Sequence, residues 1–299
     1  MKNNRFVSFL IIAVTYILAG LLGYFLYPII KIDHLMVRFL VLDLICTVFV
    51  YLVSMIFNNA SVYDPYWSVA PMVILPLFMV ALKAYHLVVY VIIILYFIWG
   101  IRLTANWAYG FKNLNHQDWR YQNLQDKHPK TWFLINLFGI HLVPTIIVFL
   151  GMLPTMYLMD LVVNNSDKIE ASAASIFAVI IILVAIILET VADIQMHKFR
   201  KDPNNIGKIN ESGLWKIARH PNYGGEILFW IGVFLYTSSM DGAGNSFILA
   251  FSPLIVFLLF AFISVPMMEK RQKKNKPGYE DYMKRTNIFF PIFPKEEKK

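Results

Sequence analysis

The chain has 299 residues, of which 58% are apolar, 16% aromatic and only 15% charged, and its net charge is +8. That balance lies outside the soluble range, and a single cysteine, Cys46, excludes both a disulfide framework and a thiolate metal site. The positive charge sits in a few loops between long apolar runs, which points to membrane topology rather than to nucleic acid.

A helix needs about 20 apolar residues to cross about 30 Å of hydrocarbon. Six runs reach that length: Phe6–Ile30, Leu35–Phe57, Ala84–Ile101, Thr131–Met159, Ala173–Ala192 and Ser246–Pro266. Two shorter ones, Val69–Leu82 and Ile227–Met240, cross only with help from neighbouring helices or re-enter the same face. The first run follows Lys2 and Arg5 but is too long for a signal peptide and has no A-x-A cleavage pattern, so it is expected to be retained. The sequence therefore predicts an all-α, polytopic transmembrane helical bundle of about eight hydrophobic segments, one integral membrane domain over residues 1–299. Residues 1–159 supply the N-terminal helices and a candidate substrate pocket. Residues 173–299 form a second half with more polar groups at membrane depth.

Most of the 27 Lys and Arg residues fall at the N-terminus, in the 102–130 and 193–226 loops and in the tail after Pro266. The 160–172 loop is acidic, with Asp160, Asp167 and Glu170 against Lys168, and the 241–245 loop has only Asp241. Positive loops stay in the cytoplasm, and eight crossings place all four basic segments and both termini there. The tail "KPGYEDYMKRTNIFFPIFPK" alternates basic, aromatic and proline residues and is expected to lie along the membrane interface against anionic lipid.

The polar motifs gather on the cytoplasmic side. Glu189, Asp193, His197 and Arg200 are spaced 4, 4 and 3 apart, one stripe on one helix face. Such a stripe either forms an ion pair between helices or lines a ligand, and a ligand wall is the reading favoured here. In "GLWKIARHPNYGGEILFW", Pro221 suits the first position of a helix, with Asn222 and Glu226 one turn apart and Arg219, His220 and Tyr223 beside them. Gly224 and Gly225 let a second backbone or a flat ligand approach. The helix start with Arg219 suits a phosphate, or else the segment is only a membrane-entry turn. "YDPYWS" sets Asp64 between Tyr63 and Tyr66, a candidate proton donor in an otherwise ordinary aromatic belt. Arg102 lies at the inner end of a span, and Asp118 and Arg120 lie in a polar loop. No G-x-G-x-x-G or Walker A sequence is present, and His34, His86, His116, His128, His141, His197 and His220 are scattered, so no metal site is expected.

The stretches "ETVADIQMHKFR", "GLWKIARHPNYGGEILFWIG" and "GYEDYMKRTNIFFPIFPK" resemble the C-terminal domain of steroid 5α-reductases, a domain related to those of sterol reductases and isoprenylcysteine carboxyl methyltransferases. Asp64–Ser68, Gly100–Leu103 and Gln117–Tyr121 are similar to segments of the uncharacterised bacterial branch of steroid 5α-reductase-like membrane proteins, which implies a bacterial inner membrane. The resemblance implies NADPH, held by Asp193, Arg200, Asn222 and Glu226 with Arg219, His220 and Tyr223 beside them. His197 belongs to the same stripe, and Arg102 and Arg120 are further cations for the phosphates. The resemblance also implies a tyrosine three residues before an arginine, paired with a glutamate. Trp99 stands three residues before Arg102 here, and no glutamate precedes Glu170, so Asp64 or a nearby tyrosine, Tyr63, Tyr66 or Tyr96, is the substitute catalytic candidate, with Asp64, Tyr63 and Tyr66 placed first.

The expected function is NADPH-dependent reduction of a C=C bond in a conjugated, steroid-like or other lipid. The substrate comes from the bilayer and the cofactor from the cytoplasm. The rivals are an S-adenosylmethionine-dependent methyltransferase acting on a lipid or prenyl group, and a non-catalytic lipid-binding protein.

Overall fold

The computed structural model describes residues 2–165, 169–240 and 246–290. Asp167 and Lys168 of the acidic loop, the 241–245 loop with Asp241, and the tail from Pro291 lie outside the described residues. Among the described residues the secondary structure is helical, with an isolated parallel bridge between Ala218 and Asn287 and no strand.

Helix α1 (Arg5–Leu26) starts where the Asn4 side chain accepts from the Val7 N–H. It leaves Phe6, Leu10, Ile17, Leu21 and Phe25 exposed, as a lipid-facing helix must. Helix α2 (Leu35–Phe57) ends at Asn58, which takes the left-handed conformation at φ 47° and closes on the Met55 and Ser54 carbonyls. Helices α3 (Tyr66–Leu82) and α4 (Leu87–Gly110) follow, then α5 (Trp119–Lys127) in the polar loop. A short α6 (Trp132–Leu134) runs through a π-helical stretch, Ile135–Leu142, into α7 (Val143–Asn165). Helix α8 (Ala173–Lys201) is capped by Ser172, whose side chain accepts from the Ser175 N–H. Then come α9 (Pro221–Ser238), α10 (Phe251–Leu259), a π-helical turn Phe260–Ser264, α11 (Val265–Asn275) and α12 (Tyr279–Arg285).

Seven segments among the described residues are long and apolar enough to cross a membrane: Arg5–Leu26, Leu35–Phe57, Ala60–Leu82, Leu87–Gly110, Trp132–Asn165, Ala173–Lys201 and Ser246–Asn275. This is an integral multi-pass membrane protein. The run expected to be short, Val69–Leu82, gains length from the turn before it. Helix α9 is not among the seven, because Asn222 and Glu226 dilute its first turns.

Packing nevertheless fixes the depth of α9. At its start, Asn222 Nδ2 lies 3.3 Å from Asp193 Oδ1 near the end of α8, and at its far end Ser172 Oγ, before α8, donates to the Ser239 carbonyl at 2.5 Å. The two helices are therefore antiparallel, and α9, about 27 Å long at 1.5 Å per residue, runs beside the whole apolar part of α8. Glycines allow the approach. A Cβ on Gly225 would lie 2.8 Å from Glu189 Cβ and 2.9 Å from the Ala185 carbonyl oxygen, and one on Gly232 would press on Ile182.

The chain forms two compact units. Unit 1 comprises the residues up to Tyr85 with Tyr96–Met152, and unit 2 comprises His86–Leu95 with the residues from Leu153 onward.

Two outcomes are expected. Cysteines introduced as Asn165→Cys and Lys208→Cys, both exposed and at opposite ends of the α8–α9 pair, should label from opposite sides of intact cells; labelling from the same side would break the antiparallel assignment. Gly225→Ala should lower the thermal midpoint in detergent, by about 1–3 kcal/mol of stability, because the obstructing Ala185 oxygen is backbone and yields little.

Candidate functional site

In unit 2 the α8 stripe meets the start of α9. Glu189 is buried opposite Gly225, one turn deeper than Asp193, which accepts from Asn222. His197 and Arg200 continue the stripe outward, and the Asp193 and Arg200 charges both act on His197. Glu226 is buried and accepts a hydrogen bond from the indole N–H of Trp230, 2.8 Å away and one turn on. Tyr223 stacks on His220, with ring centroids 5.3 Å apart and planes 6° from parallel, and also packs against Phe260 at 4.6 Å. The 213–216 turn is pinned to α8 from below: Trp215 Nε1 donates to the Ala192 carbonyl, and Leu214 N–H to Gln195 Oε1.

Arg219 has a different setting from the one expected of a phosphate ligand. It is buried, its Nε lies 2.7 Å from Glu269 Oε1, and its Nη1 donates to the carbonyls of Met283 at 3.0 Å and Thr286 at 2.6 Å. His220 Nε2 lies 3.4 Å from the same Glu269 oxygen. Backbone bonds extend the grip. Arg219 N–H donates to the Asn287 carbonyl, His220 N–H to that of Ile288, and Asn287 N–H to that of Ile217. Gly224 completes it, because a Cβ there would run into the Phe289 carbonyl oxygen. The two glycines thus admit two different backbones, α8 at Gly225 and the C-terminal strap at Gly224.

The strap also departs from the expected interfacial tail. Tyr279, Tyr282 and Phe289 are buried, and the Tyr282 hydroxyl donates to the Trp215 and Ala218 carbonyls, so these rings face protein rather than headgroups. The reason is local: the 215–220 backbone leaves carbonyls to be satisfied, and the tail brings the donors.

Arg271 of α11 and Lys276 just beyond it were read from sequence only as topology charges. Both fall in the electrostatic field of Arg200, at the outer end of the stripe with Asp193 and Tyr223. Burial, and then the Arg200 charge, lower the Lys276 ammonium from its ordinary value. Three cations in one another's field repel, and an anion placed among them relieves that repulsion.

In unit 1 the catalytic candidates separate. Tyr63 and Tyr66 stack, with centroids 5.4 Å apart, whereas Asp64 is half-buried and accepts from the Tyr121 hydroxyl at 2.8 Å. Burial, and after it the Asp64 charge, push the Tyr121 phenol well above its ordinary range. Arg120 makes a two-point contact with Asp118, Nε to Oδ1 at 2.8 Å and Nη2 to Oδ2 at 3.1 Å, and its charge also acts on Asp64. Arg102 is half-buried on α4, and Trp99 is fully buried against Trp67 and Tyr96.

The carboxylate paired with Tyr66 is one that sequence reading passed over. Asp43 sits in the middle of α2, buried, and accepts from the Tyr66 hydroxyl at 2.8 Å. Both line an apolar cavity of about 330 Å³ between α1, α2 and α3. Tyr24, Val73, Leu77 and Val80 line it too and are exposed on the apolar outside, so the cavity opens sideways. The signal in the sequence was an acid inside the run "VRFLVLDLICTVF", costly at membrane depth without a partner.

Residues 50–286 match the family model described as Protein of unknown function (DUF1295), and the chain belongs to that family of membrane proteins, which is related to the steroid 5α-reductases. The chain is also similar to an uncharacterized protein of Schizosaccharomyces pombe, 25% identical over 270 residues that cover 80% of this chain and 74% of the relative. No solved structure matches.

Removing one end of a buried ion pair costs about 3–5 kcal/mol, because the other charge is left in a poor solvent. Arg219→Ala should therefore lower the thermal midpoint and expose the 279–289 strap to limited proteolysis. A variant that is as stable and as protease-resistant as wild type would remove Arg219 from the clamp.

Proposed function

We propose that the protein is an NADPH-dependent membrane oxidoreductase that reduces a C=C bond conjugated to a carbonyl in a lipid-soluble, steroid-like or other lipid substrate. The observation that carries this reading is the group of cations at the end of the α8 stripe, where Arg271 and Lys276 share a field with Arg200, and Arg200 with Asp193. A dinucleotide brings several phosphate charges to such a group, and a 2′-phosphate adds another. S-adenosylmethionine is itself cationic and has no phosphate, so the same group disfavours it. Asn222, held against Asp193, and the stacked pair His220–Tyr223 offer polar and flat surfaces to the rest of the cofactor.

The cavity of unit 1 supports the substrate half of the reading. It is apolar, opens toward lipid, and carries one polar pair, Asp43 and Tyr66, on its wall. Ligand sites of this size commonly combine apolar walls with a few polar groups that fix orientation. With Asp43 protonated, its acid O–H can donate to Tyr66. The Tyr66 hydroxyl is then free to donate to the substrate carbonyl and hold the charge that develops on its oxygen. NADPH, when bound, supplies the hydride. The roles first considered for Asp64 and Tyr63 pass to Asp43 and Tyr66, because only that acid–phenol pair lines the cavity. Access for the cofactor is from the cytoplasm and for the substrate from the bilayer.

The test is nucleotide binding to the purified protein, followed by nicotinamide fluorescence. NADPH should bind more tightly than NADH. Arg271→Ala and Lys276→Ala should each weaken NADPH roughly ten- to hundredfold, the range of one charge-assisted hydrogen bond. Asn222→Asp should weaken it too, since it sets a second carboxylate against Asp193. Tight binding of S-adenosylmethionine with none of NADPH would replace this reading by methyl transfer.

A further inference from the structure

Unit 1 buries more hydroxyls than an apolar core needs. The usual solution for a threonine in a membrane helix is to bond its own helix, as Thr15 does to the Ile11 carbonyl and Thr190 to that of Ile186. Thr47 of α2 and Thr145 of α7 instead turn to each other, with their oxygens 2.9 Å apart. Thr145 Oγ1 also lies 2.7 Å from the Tyr63 hydroxyl, and the Thr47 hydroxyl stands close enough to that of Tyr66 to act on it. Tyr66 donates to Asp43. All five side chains are buried, Thr47 completely and Tyr66 least.

The result is one row, Tyr63, Thr145, Thr47, Tyr66, Asp43, in which Thr47 and Tyr66 adjoin and the other neighbours are hydrogen-bonded. Each hydroxyl has one donor and can accept as well, so a single polarity satisfies every link, with each group donating toward Asp43. Its outer end adjoins the half-buried Asp64, whose charge is felt at Tyr63, and the Tyr121–Arg120–Asp118 group beyond it. Its inner end is the polar pair on the wall of an apolar cavity, a place that bulk solvent reaches poorly. His141 packs its ring on Tyr63 at 4.7 Å while its Nδ1 is engaged by the Asn136 carbonyl, which holds the outer ring in place.

We propose that this row is a proton path that resupplies Asp43 from the Asp64 end of unit 1, with Thr145 as the link between helices. The proposal rests on the reading of Asp43 and Tyr66 as the proton-donating pair. After that pair gives up a proton, Tyr66 passes its own to the Asp43 carboxylate as it takes one from Thr47, Thr47 takes one from Thr145, and Thr145 takes one from Tyr63. The transfers are concerted, each oxygen breaking one O–H bond as it gains another, so no alkoxide stands alone. A solvent proton refills Tyr63 and no electrons move. The net change is one proton carried to Asp43.

The experiment is infrared detection of the protonated Asp43 carboxyl in purified protein, identified by subtraction of Asp43→Asn, at a pH acid enough to protonate it. On transfer from H₂O to D₂O, the exchange rate of that band is read. Thr145→Val keeps the shape and removes the hydroxyl, and it should slow exchange about tenfold or more, the factor one hydrogen bond is worth. Tyr63→Phe should slow it similarly, and Thr145→Ser should restore it. Exchange at the wild-type rate in Thr145→Val, or slowing that Thr145→Ser does not relieve, would overturn the path. The measurement uses neither cofactor nor substrate. A failed path therefore leaves NADPH binding intact, and a failed cofactor reading leaves the effect of Thr145→Val unchanged.

Discussion

Backbone contact between α8 and α9 at Gly225 is the constraint on which unit 2 depends. With no side chain at that point, Glu189 and the Ala185 carbonyl come against the α9 backbone, and the first turn of α9 is carried to the level of Asp193. Membrane helices have little hydrophobic drive to associate with one another, so close approach through small residues supplies much of the attraction. The same register sets Gly224 toward the C-terminal strap and Asn222 toward the stripe. One helix start therefore organises three neighbours.

Three buried acids, Glu269, Glu226 and Asp43, fall into two kinds, distinguished by their partners. Glu269 faces the guanidinium of Arg219, and Glu226 faces the indole of Trp230; both sit in packed protein and hold elements together. Asp43 faces a neutral phenol and a cavity open toward lipid. A structural acid gains most from a fixed cation or a donor of its own, whereas a proton donor has to exist in both forms without dismantling its surroundings. The setting of Asp43 suits the second requirement, and that of Glu269 the first.

The helices were legible in the sequence because length and hydropathy decide what crosses a bilayer. The pairing of Asn222 with the α8 stripe was legible in kind, since the spacing of Glu189, Asp193, His197 and Arg200 puts four polar groups on one face. Asp43 was not, because a lone acid in an apolar run reveals neither its depth nor a partner 23 residues away. Arg271 and Lys276 were hidden among tail charges that look like topology signals. The clamp on Arg219 was illegible for a plainer reason: its partner carbonyls lie 64 and 67 residues further along the chain. Separation in sequence conceals a buried contact that chemistry makes obligatory once the fold brings it about.

The proposed reaction moves a hydride into a membrane lipid. Membranes containing it are incubated with NADPH carrying deuterium at the transferable position, and the lipid extract is examined by mass spectrometry. A lipid should gain deuterium on carbon together with a solvent hydrogen, and Asp43→Asn should abolish the gain. Absence of deuterium from every lipid, alongside a methyl group acquired from labelled S-adenosylmethionine, would contradict the proposed reaction.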